Sequence, residues 1–94
     1  NEVSYLEAAG SGSTYVVYDN SKCVKVNQTI SKCLTDIFGS KFIRISKANA
    51  VNIKKINCIN QETKSIDIVI EGKKRNLPIG MIYYKTVLTQ MVNK

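Results

Sequence analysis

Along the chain, short apolar runs alternate with turn signals. Val3, Tyr5 and Leu6 open a run that passes through Glu7-Ala8-Ala9 into Gly10-Ser11-Gly12-Ser13. Thr14-Tyr15-Val16-Val17-Tyr18 follows, and its β-branched and aromatic residues predict a strand. The glycine–serine cluster between the two runs reads as a hairpin loop. Asp19-Asn20 is a second turn signal, and Cys23-Val24-Lys25-Val26 returns as a third strand. Thr29 is an N-cap for a short helix through Phe38, because Ile30, Cys33, Leu34 and Ile37 fall at the spacing of one buried face and Gly39 is a natural stop.

Strand patterning resumes at Phe42. The run from Phe42 to Ile56, FIRISKANAVNIKKI, holds four cations and no acidic residue. On an extended backbone Phe42, Arg44 and Ser46 project one way and Ile43 and Ile45 the other, with Lys47 at the break before Val51 and Ile53. Ile56 to Asn60 then predicts a strand, Gln61-Glu62-Thr63 a turn, and Ser65 to Ile70 an alternating strand with one wet face. Glu71-Gly72-Lys73 turns the chain back into Lys74-Arg75-Asn76-Leu77, and Pro78, which has no N–H for a ladder, closes that strand. Met81 to Val92 forms a closing amphipathic segment with Ile82, Val87, Leu88 and Met91 as its apolar members. Neighbouring strands are joined by hairpin-length turns and no parallel crossover emerges. The fold class is therefore mainly β with short helices, antiparallel, in a single domain.

The length of 94 residues suits one domain and is too short for two ordinary ones. A hydrophobic share of 44% excludes a disordered tail. Charge narrows the partners. Fourteen Lys and Arg against seven Asp and Glu leave a net +7, which favours nucleic acid, anionic lipid or an acidic protein.

Histidine is absent, so His-based triads and HExxH zinc sites are impossible. No nucleophile–base pair is recognisable and the carboxylates are dispersed, so no enzyme, cofactor or metal is expected. The Gly–Ser loop lacks the Lys-Ser/Thr of a P-loop. Cys23, Cys33 and Cys58 are widely spaced without a CxxC, and fit reduced structural thiols of a cytoplasmic protein. No apolar run approaches a bilayer crossing, and no membrane partner is expected. A first residue of Asn predicts a domain excised from a longer protein.

Three blocks together resemble a LytTR-type DNA-binding domain, the output module of many bacterial response regulators. Tyr5-Leu6-Glu7-Ala8, a small-residue loop and Tyr15-Val16 resemble the family's opening "YIEA", loop and second strand. Phe42-Ile43-Arg44-Ile45-Ser46-Lys47-Ala48 with Val51-Asn52 and Ile56 resembles its core "FxRxHRSxxVNxxxI". Gly72-Lys73 through Leu77-Pro78-Ile79, with Tyr83 or Tyr84, resembles "GxxxPVSRRY". The resemblance covers nearly the whole chain, residues 1–94, in the right order.

It implies an elongated fold of short antiparallel sheets whose inter-strand loops enter successive major grooves. It also implies double-stranded DNA with direct repeats as partner, two copies bound together, and an upstream receiver domain through which a homodimer forms. Ser13 is the nearest match to a reader in the first DNA-facing loop. Ser46 and Lys47 map to the second, where the family usually has His-Arg or His-Asn. Gly80, Met81 and Ile82 map to the third, where the family has Ser-Arg-Arg. Met or Ile cannot supply a bidentate base contact, so this loop reads an apolar feature such as a thymine methyl or no DNA at all.

Several residues carry two readings each. Arg44 is a phosphate clamp or a structural arginine bridging strands or an acidic neighbour. Lys47, on a loop tip, is free to reach phosphate or a guanine edge. Lys54, Lys55, Lys73, Lys74 and Arg75 read as solvated edge protection, while Lys85, early in the last helix, is placed to touch phosphate. Tyr83 and Tyr84 can bond a phosphate or pack inward, and Asn52 fixes a turn through its side chain. The leading function is the DNA-binding module of a bacterial transcriptional regulator, with Ser13, Arg44, Ser46, Lys47, Met81, Ile82 and Lys85 facing DNA. The alternative is the same fold used for protein interaction or dimerisation through an apolar patch at Met81 and Ile82.

Overall fold

A computed structural model describes residues 2–92. Strands β1 (Val3–Gly10), β2 (Ser13–Tyr18), β3 (Cys23–Val26), β4 (Phe42–Arg44) and β5 (Asn49–Asn52) form an antiparallel sheet in the order β3-β2-β1-β5-β4. Strands β6 (Ile56–Asn60), β7 (Ser65–Ile70) and β8 (Lys73–Pro78) form a second antiparallel sheet in that order. Helix α1 covers Ile30–Cys33 and α2 covers Met81–Val92. Antiparallel pairing throughout, two sheets and short helices match the fold class read from the sequence.

The turn between β1 and β2 explains its own residues. Ser11 and Gly12 lie at φ of 53° and 75° between the paired Gly10 and Ser13. Two successive positive φ values give the twist of a two-residue hairpin, and glycine bears this without steric cost.

The five-stranded sheet is covered on both faces, which is why its strands read as continuous apolar runs. Tyr5 pairs with Val17 and Val51, and Ile43 with Val51, so all four share one face. That face packs with Ile45, Ile66, Ile68, Ile70, Ile79 and Val87 in the larger core, between the two sheets and α2. Leu6, Val16 and Ala50 line the opposite face and meet Ile30 and Cys33 of α1. The molecule measures 34 × 29 × 21 Å with a radius of gyration of 12.4 Å, against about 12 Å for a packed domain of this length.

Thr29 caps α1 as expected, its hydroxyl accepting from the Lys32 N–H at 3.2 Å. The buried stripe expected over Ile30, Cys33, Leu34 and Ile37 is corrected at its end, because Ile37 is 58% exposed. From Leu34 to Phe38 the chain widens into a π turn, closed by the Gly39 N–H on the Leu34 carbonyl. Such a turn holds one residue more than an α turn, so the inward position moves on by one. Phe38 takes it, packing against the smaller core with its ring 4.7 Å from that of Phe42.

In α2, Val87 is buried, with Tyr83, Tyr84 and Met91 packed against the larger core. Ile82, expected among the inward apolar members, is 79% exposed instead. The tyrosines at the next two positions fill the inward arc of that turn, and Ile82 is rotated out to solvent.

Candidate nucleic-acid interface

Three segments remote in sequence meet around the loop between β4 and β5. The first is the β4–β5 loop, a tight reversal. The N–H groups of Ile45 and Ser46 both donate to the Asn49 carbonyl, at 3.0 and 3.2 Å. The Ser46 hydroxyl accepts from the N–H groups of Ala48 and Asn49, at 3.1 and 3.0 Å. A short side-chain oxygen of this kind replaces a missing backbone partner in a turn. Ser46 is therefore engaged with its own loop, and Lys47 and Ala48 are left exposed at the tip.

β1 supplies the second segment. The Ala8 N–H donates to the Ala48 carbonyl at 2.8 Å, and the Asn49 amide nitrogen donates to the Leu6 carbonyl at 3.2 Å. These bonds set the Gly10–Ser13 hairpin beside the β4–β5 loop. The third segment is the entry to α2, where the Gly80 N–H donates to the Ile45 carbonyl at 2.7 Å. Glycine permits that approach, since a Cβ there would meet the Tyr83 ring at 3.1 Å and Ser46 Cα at 3.6 Å.

Arg44 holds the loop from beneath. Its Nε donates to the Ser46 carbonyl at 2.7 Å, one terminal nitrogen to the Lys47 carbonyl at 2.8 Å, and the other to the Ser31 hydroxyl at 3.1 Å. The guanidinium carbon also lies 6.0 Å from the Tyr83 ring centre. Of the two roles the sequence left open, the geometry provides a bridging arginine that joins α1, the β4–β5 loop and α2. Its partners are carbonyl and hydroxyl oxygens rather than an acidic side chain. Two of its five N–H groups have no part in these bonds.

Between the first two loops lies an open cleft of about 210 Å³, lined among others by Gly12, Ser13, Thr29, Ser31, Arg44 and Lys47. Ser13 is half-buried there, its hydroxyl 3.4 Å from the Asn27 amide oxygen. Lys47 is exposed, and its ammonium has no acidic partner among the described residues. Met81 and Ile82 are 85% and 79% exposed. Lys85 is exposed one helical turn beyond Met81, on the same face. Ser13, Arg44 and Lys47 thus share the cleft, and Ser46 touches the segment that leads into Met81, Ile82 and Lys85.

Other cations are engaged elsewhere. Lys54 Nζ is 3.1 Å from Glu2, and Lys55 Nζ is 3.3 Å from both Glu2 and Asp19. They are an ion-paired tie between the residue before β1, the turn after β2 and the short turn before β6, rather than free edge charges. Lys54 and then Lys55 hold the Glu2 carboxyl below the usual carboxylate range. The Glu2 backbone N–H, then Lys55, does the same for Asp19. For Lys55, burial works against the charge, but the bonds to Asp19 and Glu2 prevail and raise its pKa. Arg75 donates to the Tyr5 hydroxyl at 3.1 Å, joining the two sheets.

Asn52 behaves as the sequence led us to expect. It is buried, donates to the Val3 carbonyl at 2.8 Å and accepts from the Lys54 N–H at 3.0 Å. Both Tyr83 and Tyr84 pack on the core, and Lys64 lies 5.6 Å from the Tyr84 ring centre. Sequence reasoning passed over Asn49 and Ser31, and it placed Gly80 in the third loop without its bond to Ile45; all three have partners far along the chain. A bulky residue's absence at Gly80, before two tyrosines, was the one local signal.

The model of the LytTr DNA-binding domain matches residues 1–91. A solved structure, the LytTr DNA-binding domain of a Bacillus cereus protein, superposes with a TM-score of 0.70 at 19% identity, covering 99% of this chain and 83% of that one. At that identity the likeness speaks for the fold. No curated protein matches. Among the described residues no helix is long and apolar enough to cross a membrane.

Proposed function

The chain belongs to the LytTr DNA-binding domain family, and from that premise we propose that it is the DNA-binding module of a bacterial transcriptional regulator. One observation carries this reading: the Gly10–Ser13 hairpin, the Ser46–Lys47 loop and the entry to α2 are hydrogen-bonded into one surface, with an unpaired Lys47 at its centre. Lys47 and Lys85 anchor phosphates, and Lys47 reaches a guanine edge where the loop enters the major groove. Arg44 and Ser46 fix the loop, and Arg44, which also lines the cleft, offers its two remaining N–H groups to a phosphate oxygen. The Ser13 hydroxyl bounds that cleft from the first loop.

In the cell the module works in the cytoplasm as the output part of a response regulator, with residues 1–94 following a receiver domain. Two copies occupy direct repeats. Because each domain presents only a small reading surface, pairing two of them raises affinity through effective concentration.

Selection of duplexes from a random library by the 94-residue chain at fixed salt tests the reading. Enrichment of a repeat, weakened with Lys47→Ala, is the expected result. A chain that enriches nothing, or binds without salt dependence, overturns it. The exposure of Met81 and Ile82 favours a second reading, a dimerisation surface. A tight dimer by light scattering with no affinity for DNA would establish that one instead.

A further inference from the structure

We propose that Met81 and Ile82 read thymine methyl groups, so that the entry to α2 selects A·T pairs in the major groove. The inference rests on the DNA-binding reading above and assigns a ligand chemistry to its third contact segment.

The pair is out of place as core. Met81 and Ile82 are 85% and 79% exposed on the first turn of α2, while Val87 of the same helix is fully buried. The Gly80 N–H bond to the Ile45 carbonyl sets them next to the Ser46–Lys47 loop, and Lys85 follows one turn later. From Leu77 to Tyr84 no side chain is charged, and neither thioether nor alkyl chain can donate a hydrogen bond to a base edge.

Charge decides the occupant. No acidic residue occurs between Asp36 and Glu62, or anywhere after Glu71. Both segments that frame the pair therefore carry cations alone, which suits a polyanion and opposes a second copy of the same basic surface. On duplex DNA the thymine C5-methyl is the apolar group displayed in the major groove, and it distinguishes A·T from G·C there. Two adjacent apolar side chains flanked by Lys47 and Lys85 match a methyl flanked by phosphates.

The test replaces thymines one at a time by deoxyuridine in a duplex enriched by the chain, with affinity read by fluorescence anisotropy. Deoxyuridine keeps O4 and pairing and removes only the methyl. Burying one such group corresponds to about fourfold in affinity. Loss of that size is expected at one or two neighbouring thymines. Met81→Ala with Ile82→Ala should weaken binding similarly and erase the deoxyuridine effect, a coupling that a bystander pair would not show. Lys47→Ala should weaken binding and leave the effect in place.

Both side chains are exposed, so the melting midpoint of the double variant should match the parent. Affinity indifferent to deoxyuridine at every position, or an effect that survives the double variant, overturns the inference while DNA binding stands. Failure to bind any duplex removes both, and a dimer lost in the double variant assigns the pair to a protein contact instead.

Discussion

Arg44 and Lys47 lie three residues apart and are separated by what their charges meet. The Arg44 guanidinium spends three N–H groups on Ser31, Ser46 and Lys47, whereas the Lys47 ammonium points to solvent. Substitution should split stability from binding accordingly. Arg44→Ala is expected to lower stability by about 1–3 kcal/mol, the scale of lost charge-assisted hydrogen bonds in a partly exposed site, measured by urea unfolding. Lys47→Ala should leave unfolding unchanged and make the slope of log K against log salt shallower by about 0.9, the share of one neutralised phosphate. Ser46 stands between these cases, since its hydroxyl already accepts two loop N–H groups. A side chain that shapes a loop this way acts by positioning Lys47.

At the scale of elements, the helix that follows Thr29 shows how one added residue redirects a face. Periodicity alone placed Ile37 inward, and the π turn over Leu34–Phe38 gives that place to Phe38. Alanine at the two positions should expose the difference. Phe38→Ala is expected to cost about 2 kcal/mol, less than the 3–5 of a fully buried ring because Phe38 is half-buried. Ile37→Ala should stay within about 0.5 kcal/mol, as exposed positions do. Thermal unfolding of the two variants checks this, and an equal loss at both positions would mean an ordinary α turn. Ser31, on the regular turn before this one, receives Arg44. In α2 the tyrosines take the inward arc, and so Ile82 comes to stand beside Met81 on the outside.

For the molecule as a whole, charge is divided between ion pairs and cations left exposed. Glu2 and Asp19 bind Lys54 and Lys55, which removes two cations from the pool available to a polyanion. Both carboxyls have their pKa held below the ordinary values of 4.5 and 3.8. The unfolded chain therefore binds more protons in acid than the folded one. The stability from this tie is full above those ordinary values and is lost as pH falls through the depressed ones. Urea unfolding should thus be insensitive to pH from neutral to about 5 and weaken below it. The variant carrying Lys54→Gln and Lys55→Gln should show a gentler acid decline, with a remainder from Asp19, which keeps the Glu2 N–H that depresses it first, and from Asp67, whose carboxyl is depressed first by Asn76. The raised pKa of Lys55 leaves this limb alone, since its contribution is lost only as pH rises beyond 10.5.

The strand order along the chain, the cap at Thr29, the loop at Lys47 and the basic excess were all legible in the sequence. Each depends on neighbours within a few residues, where periodicity and turn chemistry act. The resemblance in three blocks likewise pointed to the family that the comparison over residues 1–91 shows. What only the tertiary structure decided is which charges are spent and which remain. Glu2 finds Lys54 across 52 positions and Arg44 finds Ser31 across 13, distances at which no local pattern records a partner. The joining of three remote segments around the β4–β5 loop has the same origin, because hydrogen bonds between β1, that loop and Gly80 form only once the five-stranded sheet has brought their backbones together.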